Sequence, residues 1–391
     1  MRVAIVTESF PPDVNGVANS VARIIPHLVQ RGHEPFVIAP RPASGTPKIA
    51  DIVPAEVVRV PAVSMPGYPG VRLALPGRRI AALLAGFRPD VVHLASPFVL
   101  GAWAVAPAGR LDVPTVAVYQ TDIPRYTRAY GVGFSEAAAW RWIRRTHGRV
   151  ARTLAPSTST AEDLTAHGIP RVWLWRRGVD LGQLDPGLRS EEVRRVLAPA
   201  GETIVGYVGR LAAEKQVDLL AKTALLPGVR VVIIGDGPVA PALRRALPTA
   251  VFLGARYGAQ LARLYASFDV FVHTGPYETF CQAVQEAMAS GVPVVAPASG
   301  GPRDLVESGR TGVLVPPGSA TAIAAAVAGL AMDPVVRAEY GRAGRATVDG
   351  RSWPVVVDEL IGHYTAVLTS EPAMSPRPAA VPPKMAFPAR S

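Results

Sequence analysis

The sequence predicts an α/β protein of two doubly wound domains facing one another across a cleft. Three observations carry this. Short Val- and Ile-rich runs, apolar on both faces, alternate with longer helical patterns along the chain, as expected for parallel strands covered by helices. These runs fall into two sets of six. The chain has 391 residues with 49% hydrophobic content, enough for two substantial cores.

The first set reads RVAIV (2–6), EPFVIAP (34–40), VVRV (57–60), DVVHL (90–94), TVAVY (115–119) and VWLW (172–175). The second reads TIVGYV (203–208), VRVVII (229–234), AVFL (250–253), DVFVH (269–273), VPVVA (292–296) and GVLV (312–315). Between them, 176–201 carries Gly178, Gly182, Pro186, Gly187 and Pro199, a hinge-like composition. The expected domains are therefore 1–175 and 176–350. A helix from Trp353 to Leu368 lies in a separate segment, 351–370. The tail, 371–391, has Pro at 372, 376, 378, 382, 383 and 388 and is expected to be disordered or extended.

A net charge of +11 favours an acidic partner: nucleotide phosphates, an anionic membrane surface or nucleic acid. The single cysteine, Cys281, excludes an internal disulfide and suits a reducing cytoplasm. The N-terminus has no secretory pattern, and no run reaches about 18 apolar residues, so any membrane contact is expected to be peripheral. The seven histidines are scattered and no Asp-x-Asp pair occurs, so no metal is expected to assist the chemistry.

Five stretches carry candidate chemistry. YETFCQAVQE (Tyr277–Glu286) follows a strand; Gly291 and Pro293 stop the helix that comes next, placing it at roughly Cys281–Ser290. Glu278 then lies in the loop before the first turn and Glu286 inside the helix. A helix N-terminus at a strand's carboxyl end is a natural anion site, and flanking carboxylates suit sugar hydroxyls. The alternative is a capping Glu278 and a solvated Glu286. GYVGRLAAEK (Gly206–Lys215) sets Arg210 and Lys215 just beyond a strand, where they can clamp a diphosphate and offset leaving-group charge; the alternative pairs Lys215 with a nearby acid. SFPPDVNGVANSV (Ser9–Val21) holds the turn Asn15-Gly16, and Gly16 permits close backbone approach to a ligand. IIGDGPVA matches a dinucleotide fingerprint weakly at Gly235-x-Gly237-x-x-Ala240, with Pro238 inside it and no acid about 20 residues on, so it reads as a tight strand–helix turn. WRWIRRTHGRVAR (Trp140–Arg152) reads as a basic aromatic helix, whose Trp face either packs on the sheet or lies on anionic lipid.

In combination, GRL…EK, ETF…EAMASGVPVVAP, the Gly300-Gly301 pair and GRTGVLVPPG resemble the retaining GT-B glycosyltransferases of family 4, from residue 1 to about 368. ESFPPDVNGVANSV, YQTD (Tyr119–Asp122) and RRGVD (Arg176–Asp180) look like that family's bacterial GDP-mannose-dependent α-mannosyltransferases, which act on glycolipid or phosphatidylinositol-type acceptors. The resemblance implies two Rossmann-like domains and a final helix crossing back to the first. It implies that Arg210 and Lys215 bind the donor diphosphate, that Glu278 with the backbone of Thr279, Phe280, Cys281 and Gln282 holds the transferred sugar, and that Glu286 takes the ribose. Asn15 and Gly16 would meet donor and acceptor. Many relatives carry His where Gln120 stands; Gln donates a hydrogen bond but transfers no proton, which gives Asp122 weight as a polar contact. Cys281 occupies a place often held by Gly. Arg256, near Gly254–Leu261, is the candidate for base choice. Tyr126 is placed on the substrate side, with the acceptor groove around it, Arg128 and Tyr130 left open.

The expected reaction is therefore α-mannosyl transfer with retention from GDP-mannose, without a cofactor, to a lipid-linked acceptor, and without nucleic acid as partner. A UDP-sugar donor with a soluble acceptor is the alternative within this fold. An NAD(P)-dependent oxidoreductase is the alternative outside it.

Overall fold

The computed structural model describes residues 1–13, 15–42, 53–64, 72–75, 77, 79–122, 124 and 136–369. Seven parallel strands form the first sheet, in the order Glu56–Val60, Glu34–Pro40, Arg2–Thr7, Val91–Ala95, Thr115–Val118, Arg152–Ala155 and Val172–Leu174. Six parallel strands form the second, in the order Val251–Gly254, Val229–Ile234, Thr203–Val208, Val270–Val272, Val294–Pro297 and Gly312–Val315. In each sheet the order reverses beside the first strand. The crevice at the carboxyl ends of strands at such a switch is where doubly wound sheets bind ligands.

Both faces of each sheet are covered. Val3 and Ile5 enter one core while Ala4 and Val6 enter the other, as the two-residue period of a strand requires. All six expected runs of the second half are strands. In the first sheet one described strand, Arg152–Ala155, lies outside the expected runs. The basic aromatic stretch is helical only over Glu136–His147, and Arg152 opens a strand instead of continuing the helix. Arg152 is buried there, its guanidinium 4.2 Å over the Trp173 ring and donating to His363 Nδ1 at 2.8 Å. A charged residue heading a strand hides the apolar signal that reveals the others. The helix has its Trp face inward: Trp140 stacks on His167 at 3.6 Å and Trp142 donates to the Phe98 carbonyl at 2.8 Å. Arg141, Arg144, Arg145 and Arg149 are exposed. A short antiparallel pair, Ala62–Ser64 with Arg72–Ala74, was also not anticipated.

The last helix, Trp353–Leu368, crosses back onto the first domain. Trp353, Val356, Leu360 and Tyr364 complete the core that contains Val3, Ile5 and Trp175. Trp175 donates to the Val356 carbonyl at 2.9 Å, Tyr364 Oη meets His93 Nδ1 at 2.7 Å, and Arg31 forks onto Asp358 at 2.6 and 2.7 Å. Among the described residues no single helix is long and apolar enough to cross a membrane.

Candidate functional site

The chain leaves strand Thr203–Val208 through Gly209 and Arg210 into a 3-10 turn, Ala213–Lys215. What seats this loop is the weak dinucleotide fingerprint. Gly235 and Gly237 have φ of +142° and +156°, and a Cβ on either would lie 1.9 Å from the Gly209 carbonyl oxygen or 2.3 Å from that of Leu211. Leu211 donates its N–H to Asp236 at 2.8 Å and Val239 donates to Leu211 at 3.1 Å. These glycines exist because the loop's backbone passes over them, so the reading as a tight turn holds. Arg210, half-exposed, pairs with buried Glu214. Lys215 is held by its carbonyl, which accepts from Thr274 Oγ1 at 2.6 Å, and its ammonium donates to Glu278.

Glu278 lies in the loop after strand Val270–Val272, as expected, and the following helix spans Gln282–Ala289. That helix opens on Cys281, at φ +79°, ψ +74°. This left-handed conformation explains why glycine suits the position. Gly300 and Gly301 press against the same loop: a Cβ on Gly300 would lie 2.3 Å from the Glu278 carbonyl oxygen, and one on Gly301 2.1 Å from that of Phe280. Gly301 N–H also donates to Glu278 O at 2.8 Å. Burial alone would raise the Glu278 pKa, but Lys215 and His273 outweigh it and hold the carboxylate well below its usual range. His273 Nε2 lies 3.2 Å from Glu278 Oε1.

Glu286 sits inside its helix and accepts from Tyr265 Oη at 3.1 Å. Burial pushes its pKa up to about 7, against the opposing effects of Tyr265, Arg23 and Arg177. Arg177 is the residue the motif reading did not single out beyond quoting RRGVD. Its guanidinium is buried and its pKa is lowered to about 10 by burial, with Glu278 and Glu286 opposing. Arg177 thus feels the charge of both acids. It donates to Gln120 Oε1, and its Nη1 would be 3.0 Å from a Cβ on Gly16. Gly16 therefore makes room for Arg177. With Oε1 engaged, the buried Gln120 Nε2 has no partner among the described residues.

The two domains meet through this ring. Thr279 Oγ1 donates to the Gln120 carbonyl at 3.1 Å and Thr160 Oγ1 to the Thr279 carbonyl at 3.1 Å. Gln282 donates to Gly178 O at 3.1 Å and Gln285 to Arg177 O at 3.0 Å. The structure therefore unites Lys215, Glu278, Thr279, Gln282, Glu286, Gln120 and Gly16 around Arg177. Cys281 and Phe280 are buried beneath the loop. Asp122 is buried near Tyr119 Oη, at 3.5 Å. Two further candidates have partners of their own. Asn15 caps the helix Gly16–Gln30, its Oδ1 accepting from Val17 and Ala18 N–H at 3.0 Å and its Nδ2 donating to Ser9 at 2.7 Å, so its side chain is engaged at both ends. Arg256 donates to its neighbour Ala255 O at 2.8 Å and lines a mostly apolar cavity of about 510 Å³ with Val193, Leu253 and Gln260. Tyr126, Arg128 and Tyr130 lie outside the described residues.

Two facing parallel sheets, with cations and acids gathered at their switch-point crevice, define a two-domain transferase architecture. The family model "Glycosyltransferase Family 4" matches residues 14–183, and "Glycosyl transferases group 1" matches 202–333. A GDP-mannose-dependent alpha-mannosyltransferase of Mycobacterium tuberculosis is 53% identical over 369 residues, covering 94% of this chain and 97% of that protein. A GDP-mannose-dependent alpha-(1-6)-phosphatidylinositol dimannoside mannosyltransferase of the same species is 30% identical, covering 75% and 79%. Sucrose-phosphate synthase from Thermosynechococcus elongatus shares the fold, with a TM-score of 0.79 at 19% identity over 95% of this chain and 100% of that one. The chain belongs to glycosyltransferase family 4 of the GT-B enzymes.

Proposed function

We propose that this enzyme transfers an α-mannosyl unit from GDP-mannose, with retention, to a phosphatidylinositol-type or related glycolipid acceptor. The observation that carries the site reading is the direct pairing of Lys215, from one strand end, with Glu278, from the next. In this reading the donor diphosphate draws Lys215 and Arg210 off their carboxylates, and Glu278 is released to accept hydrogen bonds from the hexose. Glu286 receives the ribose hydroxyls. Gln120, its amide orientation set by Arg177, donates Nε2–H to a sugar oxygen. Arg177 thus acts as a positioning residue through Gln120 and as a third cation near the leaving group.

The bond from C1 to the diphosphate oxygen breaks through an oxocarbenium-like state, the acceptor oxygen bonds to C1 on the same face, and the acceptor's proton passes to the departing phosphate. The protein's part is charge stabilisation, positioning and exclusion of water. The leaving-group charge is assigned to Arg210, Lys215 and the Gln282–Ala289 helix N-terminus, so turnover should persist in excess EDTA. The donor and acceptor classes are supported by the names of the relatives. Peripheral contact at the cytoplasmic membrane face is supported by the exposed arginines 141 and 145, one helical turn apart, and Arg149 just past the helix end, with the adjacent tryptophans turned inward. Incubating the protein with labelled GDP-mannose or UDP-glucose and a lipid extract tests the reading. An α-linked mannolipid from GDP-mannose is expected; labelled lipid from UDP-glucose alone would overturn it.

A further inference from the structure

Beside Glu278, the sugar loop holds two side chains that its proposed work on a hexose does not need. His273, Glu278 and Cys281 converge from the end of a strand, the loop and the cap of the following helix. Their ligand-type atoms all lie within 4.8 Å of one another. His273 is buried, and neither ring nitrogen makes an aligned hydrogen bond among the described residues, although Nε2 points to within 3.2 Å of Glu278 Oε1. A buried imidazole with no well-aligned hydrogen bond, its close polar neighbour being one carboxylate oxygen, is uncommon. The position of Cys281 has a glycine-like backbone, so the loop's conformation does not call for a side chain there. The thiol is nevertheless present and is the third member of the cluster.

We propose that these three residues form a site for a thiophilic divalent cation, Zn²⁺ or Cd²⁺, and that its occupancy closes the sugar pocket. One nitrogen, one sulfur and one carboxylate oxygen are a donor set suited to tetrahedral zinc, with the fourth position open. Ligand atoms around such an ion stand roughly 3.3–3.8 Å apart, which the present cluster reaches by small side-chain rotations. On binding, Cys281 releases its proton to solvent, metal–sulfur, metal–nitrogen and metal–oxygen bonds form, and the Lys215 ammonium is displaced from Glu278 into the cleft. Nothing is oxidised or reduced. A hard ion such as Mg²⁺ gains little from imidazole and thiolate and should not compete. The cation is thus an inhibitor, since it takes the carboxylate that the donor sugar would use.

The test uses the full-length chain, stripped with chelator and titrated with Co²⁺ as a spectroscopic probe. One equivalent should bind with a thiolate-to-cobalt charge-transfer band that Zn²⁺ bleaches and Mg²⁺ does not. Cys281→Gly, which the left-handed backbone accommodates, should lose the band and one equivalent of zinc in equilibrium dialysis. His273→Phe should weaken binding by roughly tenfold or more; if it does not fold, Cys281→Gly decides alone. A wild-type spectrum without the thiolate band, or unchanged zinc stoichiometry in Cys281→Gly, overturns the site. A separate arm measures Co²⁺ binding with saturating GDP-mannose. Protection by donor is expected, and this arm alone rests on the proposed function. A cobalt site with the thiolate band but no donor protection would overturn inhibition at the sugar pocket while leaving the metal site standing.

Discussion

Lys215 and Glu278 neutralise one another in the free enzyme, so removing Lys215 strips the buried Glu278 of its largest countercharge and leaves only His273 beside it. Lys215→Ala should lower kcat/KM by about 10²–10³, the usual range for deleting one group that stabilises developing charge. The variant should remain folded, as circular dichroism would show. Its thermal stability should fall more at alkaline than at acidic pH. Without Lys215 the buried Glu278 prefers to be neutral, so protonation rescues the native state. A loss of stability that grows on acidification would contradict this account. Glu286 offers a second test at this scale. Its folded pKa is raised to about 7, and ribose hydroxyls donate best to the ionised form. GDP-mannose affinity should therefore rise between about pH 6 and about pH 8, and Glu286→Gln should flatten the profile. Calorimetric titration at several pH values measures it.

The loop from Gly275 to Cys281 is shaped by what lies beside it more than by its own residues. Gly301 has an ordinary helical φ of −58°, so alanine there brings no backbone strain. Its Cβ would nevertheless fall 2.1 Å from the Phe280 carbonyl oxygen, and the obstruction is backbone, which cannot swing aside. Gly301→Ala should displace the sugar loop, reduce kcat/KM by about tenfold or more and lower stability by about 1–3 kcal/mol, as overpacking does. Steady-state kinetics and chemical denaturation would show both. Normal kinetics would mean the loop has room that the structure denies it. The Gly235–Gly237 turn belongs to the same logic: a motif readable as a cofactor cradle is the seat of another loop.

At the scale of the molecule, the last helix fastens the first domain, and histidines desolvated by packing make the fold acid-sensitive. His93, His147 and His363 all have pKa values pushed down to about 4, in each case chiefly by burial. Between about pH 6.5 and pH 4 the unfolded chain binds protons that the native chain refuses, so stability falls as the pH falls. Glu286 works in the opposite direction over part of this range, because its raised pKa favours the native state at low pH. Buried Glu8, whose pKa burial also raises, acts in the same sense as Glu286; the three histidines outweigh these two carboxyls, and the melting temperature should drop from about pH 6.5 downwards. Scanning calorimetry across that range checks it; a flat profile would mean that the histidines are hydrated in solution. Tyr364→Phe removes the hydroxyl that meets His93 and should lower stability by about 1–2 kcal/mol.

Arg210, Lys215, Glu278 and Glu286 are legible in the sequence because each sits a fixed, short distance from a strand end or helix stop, although glycines distant in the chain set the final shape of their loops. The family, the two-sheet fold and α-mannosyl chemistry are legible for the same reason, since the motifs combine along one chain. Arg152 misled because a buried charge at the head of a strand imitates the face of a basic helix. Arg177 and His273 carry no local sign of their role. One comes from the seam between the domains and the other from the end of a core strand, and only packing brings them to the acids. The sequence by itself determined which residues stand at the crevice. The tertiary structure alone decided that a buried arginine joins them and that Lys215 pairs with Glu278, because Coulombic partners over 60 residues apart are chosen by the fold's geometry and not by spacing.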